Sequence, residues 1–312
     1  MIGPTWLTDD VLRVEQLLIS AAGSSSDGLV TEASTHLIKA GGKRLRPSLV
    51  LLSSRSGRAG ERATDLAAAA VELVHLATLY HDDVIDESET RRGVPTVHAK
   101  WGTEVAVLAG DYLFARGCAL GAEAGGEVPG ILARAIGDVC EGQIVETAAL
   151  NDPERGTAAY VDTIARKTAS LFAAACELGA VTAGAEPEAR AALKAYGAEL
   201  GLAFQIVDDL LDLVGDPAET GKVPGTDLHE GVFTLPVLIA CERDPSLVTS
   251  LAAGRRKLGD VMPALEASGA VEAAHEVARS HGDAALEAIA DLPEAEWTAA
   301  LRLAVAGVLA QV

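Results

Sequence analysis

The sequence predicts an all-α protein, a single large bundle of long helices around a central cavity, and three observations predict it. Hydrophobic residues make up 49% of the 312 positions but aromatic residues only 4%, so the apolar content is mostly Ala, Leu and Val. Nearly every segment reads as helix, and no strand pattern of useful length occurs. Gly, Pro and Ser fall mainly in short breaks between the long apolar stretches, where helices stop.

The elements follow in order. Thr8, with Asp9 and Asp10 after it, reads as the N-cap of a helix over 9–21. A Ser/Gly-rich break at 23–28 separates it from a helix over 29–40, which Gly41 and Gly42 end. Pro47 suits the first residue of another helix. A long helix spans 62–87, and 88–95 is a polar loop. Further helices fit 103–124, 129–150, 157–183 and 187–214; the Gly- and Pro-containing stretch 215–231 reads as a loop, and four or more helices fill 234–311. Together residues 1–312 read as one all-α domain.

Charge and cysteine usage restrict the function classes. A net charge of −20 argues against nucleic acid or an anionic membrane surface as the main partner. Cys118, Cys140, Cys176 and Cys241 are far apart and form no C-x-x-C pair, so they read as small buried thiols of a reducing compartment. The acidic N-terminus has no signal-peptide pattern, and no apolar run of about 20 residues lacks a charge, Gly or His. The expectation is a cytoplasmic protein without stable membrane insertion.

Two segments share one carboxylate pattern: Asp82, Asp83, Asp86 and Asp208, Asp209, Asp212. Each lies near the C-terminal end of a long predicted helix, and positions i, i+1 and i+4 share a helical face within about 100°. Like charges at that spacing cost a helix roughly 0.2–0.5 kcal/mol per pair. What they offer in return is a set of hard oxygen ligands, suited to magnesium carrying a phosphate group. The basic residues are grouped too: Lys43, Arg44 and Arg46 after the paired glycines, Arg91 and Arg92 after the first Asp cluster, Lys167 with Thr168 in an apolar helix, and Lys222 after the second cluster. Phosphate oxygens need such cations. His75 precedes Asp82 on the same helical face, and Gln205 precedes Asp208 by three residues.

With these residues in place, the chain resembles the trans-isoprenyl diphosphate synthases, the polyprenyl synthetase family, over roughly residues 30–310. The marks are Gly-Gly-Lys-Arg-Leu-Arg-Pro at 41–47, Glu-Leu-Val-His at 72–75, His-Asp-Asp-Val-Ile-Asp at 81–86 and Arg-Arg-Gly at 91–93. They continue with Gly-Asp-Tyr-Leu at 110–113, Lys-Thr-Ala at 167–169, Phe-Gln-Ile-Val-Asp-Asp-Leu-Leu-Asp at 204–212 and Gly-Lys at 221–222. The resemblance implies that Asp82, Asp86 and Asp208 bind Mg2+ directly, helped by Asp83, Asp209 and Asp212. It implies that Arg91, Lys167 and Lys222 grip an allylic diphosphate, that Lys43, Arg46, His75 and Arg92 hold isopentenyl diphosphate, and that Thr168 and Gln205 line the reacting centre. It also implies a homodimer, to whose contact the helices 103–124 and 129–150 contribute. One departure stands out: the family's usual second lysine in the segment 227–236 is Val232 here.

Product length is read along the helix leading into Asp82. Val71, Val74 and Thr78 project to nearly the same side as Asp82, Ala77 is small, and Tyr80 points to the opposite face. In the family, a bulky aromatic four or five residues before the first Asp stops growth early. Its absence here implies a product of roughly six or more isoprene units in an apolar tunnel; the alternative is a short-chain farnesyl or geranylgeranyl diphosphate synthase. A rival from another class, a di-iron carboxylate bundle, would use Glu72 with His75 and Glu272 with His275, but it leaves both Asp clusters and the basic groups unexplained.

Overall fold

Helices make up nearly all the regular structure in the computed structural model, which describes residues 4–58, 61–215 and 224–312. The all-α expectation is borne out. The chain forms two compact units, one of Met1–Ile136, Ala174–Lys194 and Leu292–Leu301, the other of Gly137–Ala173, Ala195–Asp291 and Arg302–Val312.

In the first unit, α1 (Thr5–Ala22) buries Leu7, Val11, Val14 and Leu18 at helical spacing. Thr8 does not cap it. The helix starts three residues earlier behind Pro4, whose carbonyl accepts from the Leu7 N–H at 3.0 Å. Helix α2 (Gly28–Lys39) is capped by Asp27, which accepts from the Leu29 and Val30 N–H groups. In α3 (Leu45–Ser53) Pro47 is the third residue rather than the first, still within the turn whose N–H groups have no helical partner. Helix α4 (Glu61–Ile85) and α6 (Thr103–Ala124) pack along one another. A methyl on Gly117 of α6 would lie 3.1 Å from the Ala70 carbonyl oxygen and 3.2 Å from Val74 Cγ2, so the missing side chain permits the approach.

The stretch 88–95, expected as a loop, is a minimal hairpin pairing Thr90 with Pro95 and Arg91 with Val94. Its turn residues, Arg92 (φ 54°) and Gly93 (φ 76°), are both left-handed, which is what a tight hairpin turn with the twist of its strands requires. A short helix the sequence reading did not anticipate follows, α5 (Val97–Trp101), capped by Thr96. Helix α6 is long and apolar enough to cross a membrane by length and composition, although it carries Asp111 and Arg116 and lies against α4.

Helix α7 (Val128–Ala148) begins in the first unit and ends in the second. The helix expected over 157–183 is α8 (Gly156–Ile164), a π-helical turn (Ala165–Ala169) and α9 (Ser170–Thr182). Helix α10 (Pro187–Val214) matches its expected bounds. In the second unit, a methyl on Gly201 would fall 2.6 Å from Ala169 Cα, and the Phe172 and Phe204 rings meet 5.2 Å apart.

Within 215–231, α11 (Thr226–Glu230) sits between left-handed Gly225 and Gly231, where a loop was expected; Lys222 lies outside the described residues. The remaining helices are α12 (Leu235–Arg243), α13 (Pro245–Ala252), α14 (Leu258–Ser268), α15 (Ala270–Ala288) and α16 (Glu296–Leu309). Buried Leu235, Val237 and Leu238 line α12, each contributing about 1.5–3 kcal/mol by burial. The four cysteines are free thiols, but only Cys176 and Cys241 are buried. Cys118 and Cys140 are exposed, because they fall on outward-facing positions of α6 and α7.

Candidate active site

In the first unit the basic residues after the paired glycines and in the hairpin act on one another. Arg44 is left-handed (φ 49°) and turned inward. Its guanidinium donates to Glu15 Oε1 at 2.7 Å, to Glu72 Oε1 at 3.3 Å and to the Ile38 carbonyl at 2.9 Å. It therefore serves the structure, and Arg46 and Arg92 both lie close enough to Glu72 to feel its charge. Burial pulls Arg46 down to about 10, so it stays protonated at neutral pH. Arg92 donates to the carbonyls of Leu37, at 3.2 Å, and Gly41, which fixes its head near the glycine turn. Burial, then the charges of Arg46, Arg92, Arg91 and Arg44, holds the His75 imidazole well below its usual range. His75 is thus a neutral hydrogen-bonding group among cations, a fitting surround for a polyanion. Lys43 is exposed on the same turn.

The first Asp cluster occupies the end of α4. Asp83 is buried, its Oδ1 accepting from Arg91 Nε at 2.5 Å, and its Oδ2 is buried with no hydrogen-bond partner among the described residues. Burial raises the Asp83 carboxyl above its ordinary value against the opposing pull of Arg91. Asp82 is half-buried and Asp86 exposed. Among the described residues no three His, Cys, Asp or Glu side chains close into a cage. Accessible hard oxygens without a cage fit magnesium, which keeps several waters and takes one or two carboxylates together with substrate phosphates.

In the second unit the π-helical turn carries Lys167 and Thr168. A methyl on Gly142 would lie 2.4 Å from the Lys167 backbone nitrogen, so α7 touches this turn backbone to backbone. One helical turn further along α7, Glu146 pairs with the Lys167 ammonium. Thr168 Oγ1 donates to Gln205 Oε1 at 2.7 Å, and Gln205 Nε2 donates to Asp209 Oδ1 at 2.7 Å. The other Asp209 oxygen accepts from the Tyr160 hydroxyl. Burial raises the Asp209 carboxyl, and burial followed by the Asp209 charge raises the Tyr160 phenol. Asp208 is half-buried, whereas Asp212 is buried and its Oδ2 accepts from the Asp227 N–H at 3.3 Å, tying α11 to the end of α10. The sequence reading named neither Tyr160, Glu146 nor Gly142. The seven-residue spacing from Tyr160 to Lys167 and the four-residue spacing from Gly142 to Glu146 were the available signals.

Val71, Val74 and Ala77 are inaccessible, and Thr78 Oγ1 donates to the His75 carbonyl at 2.7 Å. Tyr80 is turned toward α2, its hydroxyl donating to the Ala33 carbonyl at 2.7 Å. Val232 is half-buried, its N–H donating to the Asp227 carbonyl at 2.9 Å. The di-iron reading gains nothing: Glu72 is engaged by Arg44, and Glu272 pairs with Arg279 at 3.2 Å on the surface. Large apolar side chains are exposed on α6, where Leu108 is 66% accessible, and on α7, where Ile144 is 68% accessible.

The polyprenyl synthetase family profile matches residues 27–266. Heptaprenyl diphosphate synthase component 2 of Geobacillus stearothermophilus is 39% identical over 303 residues, covering 96% of this chain and 94% of that protein. A short chain isoprenyl diphosphate synthase of Methanothermobacter thermautotrophicus is 40% identical over 284 residues, 87% of each chain. The crystal structure of a decaprenyl diphosphate synthase from Rhodobacter capsulatus superposes with a TM-score of 0.93 at 37% identity, over 98% of this chain and 97% of that one. The polyprenyl synthase from Caulobacter crescentus CB15, complexed with calcium and isoprenyl diphosphate, gives 0.91 at 37% identity, over 97% and 94%.

Proposed function

Because the chain belongs to the polyprenyl synthetase family and is a prenyltransferase, we propose that it joins isopentenyl diphosphate to an allylic diphosphate with Mg2+, giving a medium- or long-chain all-trans polyprenyl diphosphate. The observation that carries this reading is the group of Arg46, Arg92 and neutral His75, an anion site in a chain of net charge −20. Arg46, Arg92, His75 and Lys43 are assigned to the diphosphate of isopentenyl diphosphate. Lys167 and Lys222, with Arg91, are assigned to the allylic diphosphate, and Asp82, Asp86 and Asp208 to magnesium. When bound, magnesium supplies Lewis-acid stabilisation of the charge that develops on the departing diphosphate. Lys167 stabilises that same charge, and its ion pair with Glu146 holds the ammonium in place beforehand. Thr168 and Gln205 present oriented dipoles to the allylic cation, and the apolar helix walls keep water from it. The double bond of isopentenyl diphosphate attacks, a proton passes to the released diphosphate, and the chain grows by one isoprene unit.

The long product is supported by the absence of an aromatic at Ala77 and Thr78 and by the heptaprenyl and decaprenyl relatives. The reading further takes the two units to act as one catalytic domain in a cytoplasmic homodimer, with exposed Leu108 and Ile144 in the contact. The test is metal dependence. Asp82→Ala and Asp208→Ala should each lower turnover by orders of magnitude with circular dichroism unchanged, because removing one charge from a repulsive cluster does not unfold a helix. Full wild-type turnover in chelator would contradict the proposal.

A further inference from the structure

We infer that Tyr160 is a positioning residue that acts through Asp209 on the Gln205–Thr168 pair. This rests on the reading above that Gln205 and Thr168 line the reacting centre. Tyr160, Asp209 and Thr168 are all buried. Their hydrogen bonds converge on Asp209: Thr168 Oγ1 donates to Gln205 Oε1 and Gln205 Nε2 to Asp209 Oδ1, while the Tyr160 hydroxyl donates to Asp209 Oδ2 from the other side.

Asp209 accepts at both of its oxygens, at Oδ1 from Gln205 Nε2 and at Oδ2 from the Tyr160 hydroxyl. That settles the Gln205 amide. Its nitrogen must face the carboxylate, its oxygen must face Thr168, and the Thr168 proton is spent on that oxygen. Among the described residues, one Gln205 N–H and the lone pairs of Thr168 Oγ1 are left for chemistry, held in a fixed direction. The Tyr160 hydroxyl holds the far oxygen of the carboxylate and so prevents Asp209 from rotating away from Gln205. Arg155 backs the Tyr160 ring, its guanidinium 5.7 Å from the ring centroid, and donates to Thr163 Oγ1 at 2.9 Å. Tyr160 itself belongs to none of the groups assigned to substrate or metal.

The experiment is a double-mutant cycle read on kcat, with KM for both substrates and the magnesium concentration for half-activity measured alongside. Tyr160→Phe should lower kcat about ten- to a hundredfold, the cost of leaving a buried acceptor without its donor. KM and the magnesium requirement should change less than about threefold, because the hydroxyl meets neither substrate nor metal. In a Gln205→Ala background the same substitution should lower kcat less than about threefold, because the group it acts through is gone. Additive losses, or wild-type kcat in Tyr160→Phe, would overturn the inference. Should Tyr160→Phe fail to fold, Tyr160→Met takes its place in the cycle, and additivity with Gln205→Ala again overturns it. A wild-type protein with no prenyl transfer overturns the underlying reading instead, so the two failures are distinguishable.

Discussion

Gly142→Ala tests the backbone contact that seats Lys167. The added Cβ would stand 2.4 Å from the Lys167 nitrogen, 2.8 Å from its Cα and 2.9 Å from its Cβ. Ordinary carbon contacts are about 3.5–4.0 Å, so the overlap is about 1 Å, and the obstructing atoms are mostly main chain, which no rotamer change can clear. Either α7 or the π-helical turn must shift. Overpacking of this kind costs about 1–3 kcal/mol, and a displacement of about 1 Å at a positioning group costs up to about a hundredfold in rate. Thermal unfolding should show a lower Tm, and kcat/KM for the allylic diphosphate should fall about ten- to a hundredfold. Gly307→Ala, in the interior of α16 with nothing within 4 Å of the added methyl, is the control; it should raise stability by about 0.5–1 kcal/mol. Wild-type Tm and wild-type kcat/KM in Gly142→Ala would refute the reasoning.

Three further outcomes are expected. His75 is held below its ordinary value, so below about pH 6.5 the unfolded chain binds a proton that the native state refuses, and stability falls as pH is lowered; urea unfolding at pH 7.5 and 5.5 should show a smaller loss in His75→Gln than in the wild type. Val232→Lys should lower the allylic KM about tenfold or more, a charge-assisted bond contributing about 1.5–3 kcal/mol, and an unchanged KM with intact folding would show that the position does not face the diphosphate. Leu108→Glu should shift sedimentation from dimer toward monomer, and a wild type that sediments only as monomer at micromolar concentration would count against the dimer.

Much of the local organisation was legible because it is written in local patterns. The bounds of α6 and α10 follow from glycines, a proline and helical spacing, and the Asp clusters declare themselves by their i, i+1, i+4 pattern. Other features depend on tertiary contacts that no local pattern encodes. Asp27 rather than Thr8 caps a helix in the N-terminal region, where Pro4 already starts α1. The hairpin at 90–95 depends on a left-handed Arg92, a conformation that a non-glycine residue adopts only when its surroundings hold it there. In that conformation Arg92 donates to the Leu37 and Gly41 carbonyls. The π-helical turn is likewise invisible in Ala-Arg-Lys-Thr-Ala, and the bare backbone of Gly142 that it meets lies on another helix. The partition of the second Asp cluster, with Asp209 and Asp212 engaged by protein donors and Asp208 half-buried, emerges only when Tyr160, Gln205 and the Asp227 N–H are placed around it.

Product sizing tests the central claim most directly. The purified protein, incubated with isopentenyl diphosphate and each short allylic diphosphate in magnesium, should release diphosphate and yield all-trans products of roughly six or more isoprene units on chromatography, a length consistent with small residues at Ala77 and Thr78. Products that stop at the farnesyl or geranylgeranyl stage would contradict the long-chain assignment, and no condensation with any allylic starter would contradict the proposed reaction itself.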